Sequence, residues 1–192
     1  GNIVSKDIIS YINFIVNEHG VGREKCHQVA QSCSFFFKQV MPSHFVIPSQ
    51  FYPRKENKLP QVFSTDQVKQ LISVITNLKH RMVISLFYGT GMRMNEMVNL
   101  KITDLDSKAF QVKVMGKGRK DRFTILPKQL LEDLRKYYLQ HKPQTYLFEG
   151  QTKGKPMNCR SIQHFVQHYV SMIGLGNKDY SAHTLCHSFA TH

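Results

Sequence analysis

Two stretches of the chain place cations where an anion is easily held. An apolar segment, Met82-Val83-Ile84-Ser85-Leu86-Phe87-Tyr88, reads as a buried helix. It stops at Gly89-Thr90-Gly91, where glycine reaches backbone angles that other residues avoid. The next helix opens at once with Met92-Arg93-Met94-Asn95-Glu96-Met97-Val98. Met94, Met97 and Val98 share one face at helical spacing, and Arg93 is turned off that face beside the glycine turn. Farther along, Phe110-Gln111-Val112-Lys113-Val114-Met115 and Arg122-Phe123-Thr124-Ile125-Leu126 both alternate, and they flank Gly116-Lys117-Gly118-Arg119-Lys120-Asp121. That pattern predicts a β-hairpin with a basic, glycine-rich tip. A fork-shaped guanidinium and a mobile ammonium are complementary ligands for one phosphate. Each stretch also has a plainer reading: Arg93 as a surface ion pair with Glu96 at i+3, and the tip as a solvated turn. A third group is His183, Cys186 and His187. The two histidines at i and i+4 with the cysteine make at most part of a metal site, because no fourth ligand at recognisable spacing accompanies them. His187 as a structural histidine is the simpler reading, and a neighbouring histidine alone does not make Cys186 a nucleophile.

Composition narrows the partner. The 192 residues hold 26 Lys and Arg against 13 Asp and Glu, a formal net charge of +13. Such an excess points to a polyanion. Nucleic acid ranks ahead of an acidic membrane, because no run approaches the roughly eighteen apolar residues of a spanning helix and no amphipathic cationic helix stands out. The 41% apolar content suffices for packed cores. The four cysteines, Cys26, Cys33, Cys159 and Cys186, show neither CxxC pairs nor disulfide spacing and read as reduced thiols of a cytoplasmic protein.

The elements around these groups follow from local signals. Ser5 is a plausible cap for a helix carrying Ile8, Ile12, Ile15 and Val16 on one face and ended by Gly20. A second helix from about Gly22 carries the stripe Cys26, Val29, Cys33, Phe36, Phe37 and Val40, closed by Met41-Pro42. Two helices of this size cannot enclose a core, so they pack on something else or belong to a larger helical domain. Residues 43–62, with Pro48, Pro53, Pro60, Arg54, Lys55 and Lys58, have no period and read as an extended basic linker, either a solvated tether or a strap along a phosphate backbone. Ser64-Thr65-Asp66-Gln67 is a capping-box pattern before Val68, Leu71, Ile72 and Ile75. Pro127 at a first helical position precedes Leu130, Leu131, Leu134, Tyr137 and Tyr138. Residues 142–155 read as a loop, and Asn158 caps a helix with the stripe Ile162, Phe165, Val166, Tyr169, Val170 and Ile173. Arg160 and His164 lie off that stripe, facing either solvent or DNA.

In order along the chain, Tyr88-Gly89-Thr90-Gly91-Met92-Arg93-Met94-Asn95-Glu96, the segment from Leu100 to Asp104, Gly116-Lys117-Gly118-Arg119-Lys120-Asp121-Arg122, and His183-Thr184-Leu185-Cys186-His187-Ser188-Phe189-Ala190-Thr191-His192 resemble the successive boxes of the tyrosine recombinase (phage integrase) family. The bacterial Xer-like and mobile-element integrases are the branch most resembled. The resemblance implies a mainly α fold with a small antiparallel β-sheet (α+β). It implies a partial helical, SAM-like core-binding domain over 1–42, the basic linker 43–62, and a catalytic domain, incomplete at its C-terminus, over 63–192. Family members cut and rejoin duplex DNA through a 3′-phosphotyrosyl link, with no cofactor and no metal, and work as tetramers on DNA. Two arginines and a histidine hold the phosphate, and a hairpin lysine acts as general acid. By position, Arg93 is the first arginine, Lys117 the lysine and His183 the histidine opening the His-x-x-Arg box. Arg54, Lys55, Lys58, Arg119, Lys120 and Arg122 are the expected DNA contacts. The expected setting is the bacterial cytoplasm, at the nucleoid, with no membrane partner.

Two departures stand out. Cys186 occupies the second arginine's place, and a thiol can neither fork two oxygens nor carry positive charge. Losing one such transition-state donor typically costs about 3–4 kcal/mol, about a hundred- to a thousandfold in rate. The family's next box, a His or Trp, and its nucleophilic tyrosine correspond to positions past His192, and Tyr137, Tyr138, Tyr146, Tyr169 and Tyr180 all precede His183. The expectation is a fragment, or the product of a truncated gene, that does not cleave DNA as it stands. The alternative is a non-catalytic DNA-binding protein that occupies recombination sites.

Overall fold

Apolar residues spaced three and four apart near the start of the chain fold as two helices in the computed structural model, which describes residues 5–40, 61–116, 121–176 and 180–192. The chain divides into two compact units, residues 1–58 and 59–192. In the first, α1 (Ser5–His19) ends at Gly20, whose φ is +56°, and α2 (Arg23–Gln39) follows. Ile8 and Ile12 pack with Cys26, Ala30 and Phe37. The stripe expected on α2 is only partly inward: Phe36 and Val40 are exposed, and Ala30 is buried in their stead. A single partner helix covers only a narrow strip of its neighbour, which is why the wider apolar face stays open. Met41, Pro42 and residues 43–60, with Arg54, Lys55 and Lys58, lie outside the described residues.

The second unit is built around a central helix. Ahead of it, α3 (Thr65–Ser73) starts with the expected capping box: Gln67 N donates to Ser64 Oγ at 3.2 Å, and Ser64 N donates to Gln67 Oε1 at 2.8 Å. α4 (Leu78–Thr90) is apolar on nearly every side, burying Met82, Val83, Ile84, Leu86 and Phe87. A helix of that kind must be surrounded. Its neighbours are α3, β3 (Asp121–Ile125), α6 (Lys128–His141), α7 (Cys159–Met172) and α8 (Ala182–Thr191). Between α4 and β3 come α5 (Met94–Val98), a 3-10 turn at Ile102–Asp104, β1 (Leu105–Asp106) and β2 (Gln111–Met115). The strands form one antiparallel sheet in the order β1-β2-β3, with Val112 opposite Thr124 and Val114 opposite Arg122. The fold is thus mainly helical with a small antiparallel sheet, as the sequence implies. No helix among the described residues is long and apolar enough to cross a membrane.

Two connections carry more structure than their sequences suggest. The stretch expected as a plain loop buries Leu147 and Phe148 in the core. The Glu149 carboxylate accepts from Gln144 N and Thr145 N, both at 2.8 Å, while Lys79 Nζ donates to Glu149 O at 2.9 Å. Burial pushes the Glu149 carboxyl up, but the backbone donors outweigh it and hold the group below the ordinary carboxylate value. The second connection is α8 to the start of the unit. Phe63 N donates to Ser188 Oγ at 2.9 Å, and that hydroxyl donates to Thr184 O at 2.8 Å, with Phe63 and Ser188 both fully buried. Ser188→Ala leaves the Phe63 amide without its partner, so unfolding in urea should show a loss of about 1–3 kcal/mol.

Candidate phosphate-binding site

The site grows from the turn that ends α4. Gly91 caps that helix with φ +62°, in the left-handed region, and its N–H donates to Phe87 O at 3.1 Å. Arg93 is the cap residue of α5 and has extended backbone. Glu96, in the first turn of α5, accepts from Arg93 N at 2.7 Å through Oε2 and from Arg93 Nη1 at 3.4 Å through Oε1. The ion pair considered for Arg93 therefore exists, yet its two halves differ: the Arg93 side chain is 66% exposed and the Glu96 side chain 6%.

Glu96 has a second cation. Arg122 Nη2 donates to Glu96 Oε2 at 2.7 Å, across 26 residues of chain. The strand that carries Arg122 faces the opposite way from what its apolar residues suggest. Phe123 and Ile125 point outward, while Arg122 and Thr124 point in. Thr124 Oγ1 donates to Thr90 O at 2.8 Å, so the inner face of β3 is tied to the turn. Arg122, expected on DNA, is directed at Glu96. Near the hairpin tip, Lys113 Nζ and Asp121 Oδ2 close a bridge of 2.8 Å. That hydrogen bond and charge raise the Lys113 pKa above its ordinary value. Lys117, Arg119 and Lys120 lie outside the described residues.

His183 arrives from α8, whose cap Ser181 accepts from His183 N at 3.2 Å. A cleft of about 790 Å³ is lined by Arg93, Glu96, Lys113, Gly116 and His183, among others. Arg93 and His183, some ninety positions apart in the sequence, thus share one cavity with the residue that precedes Lys117. Cys186 turns elsewhere: its Sγ donates to Gly91 O at 2.9 Å. Burial pushes its thiol up; Arg93 and Arg122 pull it down, Glu96 pushes it up, and burial prevails. The His183 and His187 rings meet edge to face at 4.8 Å. Among the described residues no three His, Cys, Asp or Glu side chains converge as a metal site. Sequence reasoning missed the central role of Glu96 and the place of Lys113 in the cleft. Glu96 had a signal, since an acidic residue three positions after a helix cap is the capping-box partner.

A second cleft, of about 1130 Å³, holds Arg160 and His164, both exposed, with Lys79, Lys155 and Asn158 along its walls. Its wall includes His80, which stacks on Phe165 at 4.0 Å and bonds the Tyr169 hydroxyl through Nδ1 at 3.2 Å. Burial, with Lys79 and His168 nearby, holds His80 below the ordinary histidine pKa.

Comparison with known proteins identifies the family and the fold. The model of the Phage integrase family matches residues 61–192. An integrase/recombinase-like protein of Sinorhizobium fredii is 33% identical over 190 residues, covering 97% of this chain and 61% of its own. The tyrosine recombinase XerC of Staphylococcus carnosus is 29% identical, covering 97% of this chain and 67% of its own. The fold is that of the XerH site-specific recombinase, crystallised with a palindromic difH substrate as a post-cleavage complex, at a TM-score of 0.83 and 22% identity over 99% of this chain and 61% of that one. The chain accordingly spans about three fifths of the length of the first of these relatives.

Two measurements check the geometry. A Cβ added at position 91 would collide with the Phe189 ring in addition to a positive φ, so Gly91→Ala should lower the unfolding free energy, measured by urea titration, by more than the roughly 1–2 kcal/mol of left-handed strain alone. Because the Cys186 thiol titrates above its ordinary value, alkylation by iodoacetamide, followed by peptide mapping, should run slower at Cys186 than at a cysteine of the unfolded chain and should accelerate only at higher pH.

Proposed function

Because the chain belongs to the phage integrase family, we propose that residues 63–192 form the catalytic domain of a site-specific tyrosine recombinase. It would cut and rejoin duplex DNA through a 3′-phosphotyrosyl intermediate. The observation that carries this reading is the single cleft shared by Arg93, His183 and Gly116, the last at the root of the Lys117 tip. In this reading Arg93 binds the non-bridging oxygens of the scissile phosphate, and its position beside a rigid glycine turn fixes its orientation. His183 donates to the same oxyanion. Lys117, on the hairpin tip, protonates the leaving 5′-oxygen. Arg119, Lys120 and the linker residues Arg54, Lys55 and Lys58 follow the phosphate backbone, consistent with a net charge of +13. The unit containing α1 and α2 is then part of a helical core-binding domain. The working assembly is a set of copies on DNA, in the bacterial cytoplasm.

None of the eight tyrosines follows His183, and none is assigned the attack. Cys186 is the observation that favours a second reading, a DNA-binding protein that occupies recombination sites without cutting them. Covalent trapping separates the two. In the full-length gene product carrying Cys186→Arg, a nicked duplex is expected to yield a protein–DNA adduct, and Arg93→Ala in that background should cut its formation about a hundred- to a thousandfold. An adduct that survives the loss of Arg93 removes this site from the reaction, and salt-sensitive binding with no adduct at all favours the second reading.

A further inference from the structure

We propose that Arg122 stands in for the guanidinium missing at position 186, so that Arg122 and Arg93, held by one carboxylate, grip the same DNA phosphate. The inference rests on the reading of the cleft as a DNA-phosphate site and says how this particular chain meets the deficit that Cys186 creates.

Position 186 itself offers nothing to an anion. Its thiol is directed at the carbonyl of Gly91, against the turn, and is kept protonated by burial. Three side chains act on that thiol electrostatically: Arg93, Glu96 and Arg122. The turn from Thr90 to Glu96 is their common support. Cys186 reaches Gly91, Thr124 reaches Thr90, and Arg122, two residues from Thr124 on the same face of β3, reaches Glu96. Arg122 is therefore brought beside the place that the second arginine would fill, from the hairpin instead of from α8.

The charges fit the role. The Glu96 side chain is 6% exposed and carries one negative charge, while Arg93 and Arg122 carry two positive charges, which leaves this group of three side chains with one net positive charge. Among the described residues, the Arg122 bond to Glu96 uses Nη2 only, and a guanidinium has further N–H donors on Nε and Nη1. Its side chain is 37% exposed, against 6% for the Glu96 side chain it bonds. A carboxylate bound on one edge also fixes the plane of the guanidinium, which is what a forked contact to phosphate oxygens requires.

The test measures the affinity of the full-length protein for a fluorescein-labelled random-sequence duplex across a salt series. Arg122→Gln is expected to lower the slope of log affinity against log salt by about 0.9, the loss of one phosphate contact. Arg122→Lys should keep the slope, and Cys186→Arg added to Arg122→Gln should restore it. If Arg122→Gln does not fold, Glu96→Gln with Arg122→Gln, which leaves no unpaired carboxylate, takes its place. A slope unchanged in the Gln variant, or not restored by arginine at 186, makes Arg122 only the counter-ion of Glu96 and ends the proposal. Absence of duplex binding by the unaltered protein ends the reading of the site on which the proposal rests.

Discussion

No side chain fits at Gly91. A Cβ there would collide with the ring of Phe189, so the turn between α4 and α5 and the last helix are packed backbone against aromatic ring. The left-handed φ that ends α4 is a second reason for glycine. Close approach at this point lets α8 make its other contacts: Cys186 on the Gly91 carbonyl, Ser188 on the amide of Phe63, and His183 on the cleft. It helps to set the segment bearing Arg93 and the helix bearing His183 side by side at one cleft.

Glu96 supplies the second constraint. A carboxylate removed from water is costly unless its oxygens are bonded and its charge is balanced. Here Arg93 N, Arg93 Nη1 and Arg122 Nη2 do both. Because the partners come from the turn and from the hairpin, satisfying one buried group fixes two basic segments with respect to each other. Thr124 on Thr90 and Lys113 on Asp121 extend the fastening along the hairpin. The Arg93 and Arg122 guanidinium groups are thereby oriented by one carboxylate.

The thiol at 186 changes the balance of this arrangement without disturbing its packing. A small, half-buried, protonated side chain bonded to a carbonyl is a good neighbour to the turn and a poor ligand for an anion. The remaining positive charge sits on side chains that belong to other elements, namely Arg93 at a helix cap and Arg122 on the inner face of a strand. The second cleft, with Arg160 and His164 at the start of α7, lies on a different part of the same unit and adds to its basic surface.

Local signals determined most of the elements. The Ser64 capping box, the all-round apolar run of α4, the stripe of α7 capped by Asn158, and the two alternating runs that make the hairpin are written within one or two turns of chain, where backbone geometry sets the spacing. So were the positions of Arg93 and His183 in their boxes. What only the tertiary structure decided is which side of each element is inside. Alternation along β3 says that its two faces differ, but not that Arg122 and Thr124 take the inner one while Phe123 and Ile125 remain exposed. The same holds for Phe36 and Val40 on α2, for the burial of Glu96, and for the connection that Glu149 orders. Burial is conferred by partners far away in the sequence, and a bonded polar group can win an interior position from an apolar one when a distant carboxylate or carbonyl waits there for it.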